Sequence, residues 1–189
     1  MVGLIQKLLL DLVEQVGGAD AVQAVRNAAE VPEERRFRLD TVYPDDEFQR
    51  MLQAACKVLG KTQEEVEVAY ADFFGRDSLR RWPIWFETSS GARHFLERQQ
   101  TIHNTFATGV RDPDARRGIR DKFHIEKLDH ELVTHYRSPN NLCGLYVALA
   151  RWILDYYKED ATIEESRCTK RGDAECEFHI RWPQPRSAA

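Results

Sequence analysis

The chain has 189 residues, 42% apolar and 10% aromatic, with a net charge of −4. That length builds one domain, or two at most, with a sizeable core. The acidic balance argues against a general nucleic-acid binder, and no run of roughly 18 apolar residues is present to span a membrane.

Met1 to Gly17 resembles a signal peptide only in its leucines. It carries Asp11 and Glu14, a single early Lys7, and no small-residue cleavage site. It reads as an amphipathic helix, and the protein as cytoplasmic. Leu4, Ile5, Leu8, Leu9, Leu12 and Val16 form its apolar stripe, and Gly17-Gly18 ends it. Val22, Val25 and Ala29 mark a second helix that stops near Pro32. Asp45-Asp46 opens a third, with Phe48, Met51, Leu52, Ala55 and Leu59 inward and Gly60 closing it. Thr62 and Glu65 make a capping box before Val66, Ala69 and Phe73. Trp82, Pro83, Trp85 and Phe86 form an aromatic bend that reads as packing. A longer helix over 91–108 then carries His103, with Leu96, Ile102 and Phe106 around it.

Arg111 to Gly118 reads as a charged, solvated loop and is the clearest composition break. After it the apolar period becomes two. Phe123 and Ile125 predict one strand, and Leu132, Thr134 and Tyr136 the next. Leu142, Leu145, Tyr146, Leu149 and Ile153 define a helix. Two last strands flank Arg171 to Asp173, the second placing Cys176, Phe178, Ile180 and Trp182 on one face. Helices first, then about four antiparallel strands with one helix between their halves, is an α+β layout. The expected division is a helical subdomain over 1–65, a helix-and-sheet subdomain over 66–183, and a frayed tail over 184–189.

Side chains two apart share a strand face, so Tyr136, Ser138 and Asn140 would present a phenol, a hydroxyl and an amide together. Such a clamp suits a carboxylate or a phosphate. His103 on an apolar helix face is, by periodicity alone, an ordinary core histidine; beside the clamp it suggests a metal-centred cofactor. The four cysteines (Cys56, Cys143, Cys168, Cys176) are too few and too scattered for a secreted disulfide scaffold, and Cys56 reads as a core residue. Cys168 and Cys176 lie on the two arms of the last hairpin, and Cys143 opens the preceding helix. Three thiolates could bind zinc. Glu165, His179 or water could complete the set, and the rival is a Cys168–Cys176 disulfide or plain thiols. His94, His124, His130 and His135 show no ligand spacing. There are no paired carboxylates in a recognisable frame, no phosphate-binding glycine loop and no nucleophile triad, so nothing points to an enzyme.

The opening Met1 to Ile5, the segment Tyr70 to Phe74, Phe95-Leu96 seven residues ahead of Ile102-His103, and the Tyr136-x-Ser138 strand carry a resemblance. The chain resembles the haem nitric oxide/oxygen binding (H-NOX) domains related to the haem domain of soluble guanylate cyclases. The likeness covers nearly the whole length. It implies haem b held between the two subdomains, with His103 on the iron. Tyr136, Ser138 and the position of Asn140 would bind the propionates. The family's signature is Tyr-x-Ser-x-Arg; here the arginine is Asn140, which brings no charge. Arg137 should point to the opposite face. The segment between His103 and the signature is also a few residues longer than the family usually shows.

The resemblance also places the distal pocket. The position that carries a hydrogen-bonding tyrosine in oxygen-binding relatives is Leu145, with its helper positions at Leu9 and Phe74. No donor is visible there, apart from the adjacent Tyr146. The implied function is a gas sensor that takes nitric oxide and carbon monoxide, and oxygen poorly, at ferrous haem. Weakening of the iron–histidine bond would free the helix to act on a separate partner, a histidine kinase or a cyclic-dinucleotide enzyme. Some bacterial relatives carry a zinc cluster whose spacing Cys143, Cys168 and Cys176 match, with Glu165 where a fourth cysteine usually stands. The alternative is a zinc-stabilised interaction module of the same fold, holding haem weakly or not at all.

Overall fold

The computed structural model describes residues 2–39 and 41–183. The expected tail over 184–189 and the first residue of the opening motif lie outside them. Helix α1 spans Gly3–Ala28 and is kinked at Gly18, whose φ of 75° favours glycine. The two expected N-terminal helices are present, joined at the expected Gly17-Gly18 break, where Gly18 leaves helical geometry at ψ −175°. Leu4, Leu8, Leu9 and Leu12 of its stripe are buried. Helix α2 (Asp45–Leu59) has three acidic residues in its first turn, where the helix dipole favours them, and left-handed Gly60 at its end. It packs on α1 through Phe48, Met51, Leu52 and Ala55. Each such buried side chain contributes about 1.5–3 kcal/mol relative to exposure.

Helix α3 (Gln63–Arg81) starts on the expected capping box: Thr62 N donates to Glu65 Oε2 at 2.8 Å and Glu65 N to Thr62 Oγ1 at 3.2 Å. Helix α4 (Pro83–Glu87) turns the aromatic bend into a short helix with proline at its start, and Trp82 stacks on Trp85 at 4.5 Å. The long helix expected over 91–108 is instead α5 (Ala92–Glu97) and α6 (Gln99–Thr105), broken at Arg98. The Arg98 guanidinium is tied to Thr88 Oγ1 and Ser89 Oγ, both at 2.8 Å, which holds the chain at the break. The charged segment expected as a loop is helix α7 (Pro113–Arg120), N-capped by Asp112, whose carboxylate accepts from Ala115 N at 2.6 Å. The Asp-Pro pair is a helix start that the charge run concealed.

Strands β1 (Phe123–Lys127) and β2 (Glu131–Tyr136), helix α8 (Cys143–Tyr157), and strands β3 (Thr162–Arg167) and β4 (Cys176–Arg181) complete the α+β fold. The sheet is antiparallel in the order β1-β2-β4-β3. Its inner face is apolar, with Leu132, Tyr136, Phe178 and Ile180 buried. Its outer face is an ion-pair network in which His135 lies 3.0 Å from Glu175, and Arg137 Nε donates to Glu175 at 2.6 Å. Helix α8 packs against α3. Glu159, just past its end, accepts from Ala92 N and Trp182 Nε1, both at 2.8 Å, tying α5 to the end of β4. Among the described residues, no helix is long and apolar enough to cross a membrane.

Candidate functional site

Between the α1–α3 layer and the sheet lies a cavity of about 210 Å³. Ile5 of α1, Phe74 and Ser78 of α3, Trp85 and Phe86 of α4, His103 of α6, Phe123 and Tyr136 of the sheet, and Leu145 and Tyr146 of α8 line it. His103, Tyr136, Phe74 and Leu145 therefore share one space. Leu9 does not reach it: it is fully buried in the core, and Ile5, one turn earlier, takes the place on the wall. Both lie on the inward stripe, and spacing alone could not tell which one meets the cavity.

His103 presents a neutral imidazole. Burial and the nearby Lys122 ammonium depress its pKa to about 4, with the carbonyl of Ile119 acting the other way. Its Nδ1 is buried with no hydrogen-bond partner. An ordinary core histidine would be satisfied. Phe123 stands edge-on to the ring at a centroid distance of 4.9 Å. A neutral imidazole with one ring nitrogen left without a partner, facing an apolar cavity, has the chemistry of a metal ligand.

Strand β2 ends at Tyr136, so Ser138 and Asn140 are not strand residues, as the sequence reading supposed. Pro139 has no N–H to continue a ladder. The alternation nevertheless persists: Tyr136, Ser138 and Asn140 are buried, while Arg137 and Pro139 between them are exposed. Burial pushes the Tyr136 phenol up to about 12, with the Ser138 hydroxyl acting against the shift. Asn140 N donates to Ser138 Oγ at 3.3 Å, and the Asn140 carbonyl accepts from Gln49 of α2. The Asn140 side-chain amide is 2% exposed, and neither of its polar atoms has a hydrogen-bond partner. Tyr136 lines the cavity; Ser138 and Asn140 do not.

Tyr146 donates to Thr134 Oγ1 at 2.8 Å and Tyr70 to the Ile5 carbonyl at 2.9 Å, so neither phenol is spare. Three polar cavity-lining residues were not singled out by sequence: Ser78, Gln99, whose Oε1 is buried without a partner, and Lys122. Ser78 Oγ is buried without a partner; one turn after Phe74, it was visible only as a small residue on a helix. Lys122 hid in the charged stretch before β1.

A model of the haem-NO-binding family matches residues 2–165. The chain belongs to the haem-NO-binding family. Solved H-NOX structures have the same fold. The H-NOX protein from S. oneidensis in its Fe(II)NO state is 18% identical, with a TM-score of 0.81 over 97% of this chain and all of that one. The unliganded Fe(II) H-NOX protein from K. algicida is 20% identical, with a TM-score of 0.76 over the whole of both chains. None of the curated proteins matches. Membership makes this chain a haem-based gas-sensing domain, of a kind whose members are sensors rather than catalysts and signal to partner proteins.

A second cluster lies at the start of α8. Cys143, Cys168, Cys176 and Glu165 each bring a ligand atom within 4.8 Å of the others. The Cys143–Cys168 sulfur separation is 3.6 Å and the Cys168–Cys176 separation 3.9 Å. Four ligands about 2.3 Å from a tetrahedral zinc would have sulfurs roughly 3.8 Å apart. All four cysteines of the chain are free thiols, so the Cys168–Cys176 disulfide is not formed. His179 is not part of the cluster; it pairs with Glu131 and Glu177 on the outer face of the sheet.

Proposed function

We propose that this domain senses nitric oxide and carbon monoxide, with His103 as the protein's ligand to a haem b iron. The observation that carries the reading is the His103 imidazole, neutral and with its Nδ1 unpartnered, facing an apolar cavity between helices and sheet. When bound, ferrous haem supplies an iron that takes a diatomic gas on its open side. Phe123 and Phe106 would hold the imidazole plane. Tyr136, with Ser138 and Asn140 behind it, would receive the acid groups of the macrocycle.

Phe74, Leu145 and Ile5 make the opposite wall apolar. Bound oxygen carries partial negative charge and gains from a donor, whereas nitric oxide and carbon monoxide need none. The occupied Tyr146 and Tyr70 hydroxyls therefore favour poor oxygen binding. His103 sits on the short helix α6, which packs against α7 and β1, so a change in how the imidazole is held moves that corner of the surface. A histidine kinase or a cyclic-dinucleotide enzyme in the cytoplasm is the partner class proposed to read it.

The cysteine cluster supports a structural zinc ion held by Cys143, Cys168 and Cys176, with Glu165 as the fourth ligand. The sulfur separations favour it over plain thiols. The rival function is a haem-free interaction module stabilised by this zinc, and Asn140 in place of arginine is the feature that favours it.

An absorption spectrum after haem reconstitution separates the two. A strong Soret band that is lost in His103→Ala and restored by added imidazole supports the sensor; its absence in the wild-type chain refutes it.

A further inference from the structure

Lys122 stands just before β1 and lines the cavity that His103 faces. Its carbonyl accepts from Arg137 N at 2.8 Å, which fixes its backbone beside the Tyr136 end of β2. Among the described residues it is the only lysine, arginine or carboxylate on the cavity wall, and its ammonium makes no hydrogen bond or ion pair. Burial pulls its pKa down, while the charge of Asp45, in the first turn of α2, acts to raise it. The Arg137 contact places Lys122 beside the start of the Tyr-x-Ser-x-Asn segment. The alternative cation, Arg137, is committed to Glu175 on the outer face of the sheet.

A wall that needed only to pack hydrocarbon would not carry an ammonium, because burying a charge is costly even with a carboxylate nearby. We propose that Lys122 is a cofactor-positioning residue that pairs with a carboxylate of the molecule filling the cavity, in place of the charge missing at Asn140. The inference rests on the haem reading above and names the group that recognises the propionates. A lysine brings a compact point charge from a flexible stem, not a bidentate fork, so it would neutralise a propionate without fixing its plane.

The test is a spectroscopic titration of the full chain with haem and with haem dimethyl ester, which lacks the free carboxylates. Wild type, Lys122→Met and Lys122→Arg are compared, with Lys122→Gln as a second neutral variant in case methionine disturbs the packing. A charged hydrogen bond lost from a partly buried site should weaken haem binding by about 10- to 150-fold in the neutral variants. Arginine should restore it, and the ester should bind all four chains alike. Equal haem affinity in wild type and both neutral variants overturns the inference and leaves the haem reading intact. An equal loss for haem and ester also overturns it, because it assigns Lys122 to packing. Failure of the wild-type chain to bind either compound refutes the haem reading, and this inference with it.

Discussion

The ring of Phe123 stands at 73° to the His103 imidazole, with the centroids 4.9 Å apart. Phe123 opens β1, pairs with Tyr136 in the sheet, and is itself buried. One aromatic side chain therefore joins the histidine helix to the sheet. Phe123→Ala should lower the unfolding free energy of the haem-free chain by about 3–5 kcal/mol, the usual cost of emptying a buried aromatic site. Chemical denaturation measures this, and Phe123→Leu should cost clearly less.

The haem-free chain should lose stability on mild acidification. The His103 pKa falls from 6.5 to about 4 on folding, so the unfolded chain binds the proton first. Stability is then full above pH 6.5 and declines as the pH drops from there toward 4. The linkage amounts to roughly 3 kcal/mol at the acid end of the window. His103→Leu should flatten this slope in pH-dependent denaturation. Glu177, held down to about 2 by its bonds to Ser166, Arg167 and His179 against the effect of burial, loses its contribution only at lower pH.

Leu145→Tyr should create an oxygen binder. Leu145 lines the cavity together with Leu149 and Phe74, and a phenol there would bring a donor to an apolar space. Reconstituted ferrous wild type exposed to air should form no lasting oxygen complex, whereas the variant should show one in its visible spectrum. Nitric oxide binding should be unchanged in both. Ser78→Ala should leave the wild-type response as it is; a changed oxygen response would assign the donor role to Ser78.

Asn140→Arg should slow haem loss. Gaining a charge-assisted contact should tighten binding by about 10- to 150-fold, read as transfer of haem to an acceptor protein. No change would mean that the loop after β2 does not face the acid groups.

Zinc analysis of protein purified without chelator should find about one equivalent per chain, the count for a single four-ligand site. Under a tenth of an equivalent would remove the site. In the metal-free chain burial pushes the Cys168 thiol up to about 12, so zinc uptake must displace protons. Affinity should therefore fall as the pH is lowered. Cys168→Ser should lose the metal and lower the melting temperature, with no effect on which gas is bound.

The elements legible in the sequence were those with a clean period or a cap. The capping box at Thr62, the α2 stripe, the sheet strands and the inward turn of His103 all follow from local patterning. Three features were not legible, each for a physical reason. Tertiary hydrogen bonds from Arg98 to Thr88 and Ser89 break a helix whose apolar period runs straight through. The arginines of α7 masked its Asp112-Pro113 start. Periodicity gives a face but not a depth: the resemblance assigned Leu9 to the pocket, and only Ile5, one turn earlier on the same stripe, meets the cavity. The cysteine cluster was readable as spacing; only the fold removes His179 and leaves Glu165.

The break at Arg98 also sets how far a local event can travel. An unbroken helix from Ala92 to Thr105 would act as a rod, carrying a tilt at His103 back to the Glu159 tie and from there into the end of β4. With the break in place, α6 is a separate two-turn segment, seven residues long. That segment packs on α7 and, through Phe123, on β1, so a movement of the imidazole would press on both. On the proposed reading, the arginine-bearing outer surface of α7 and the β1 edge of the sheet are the two faces that would feel the histidine being let go.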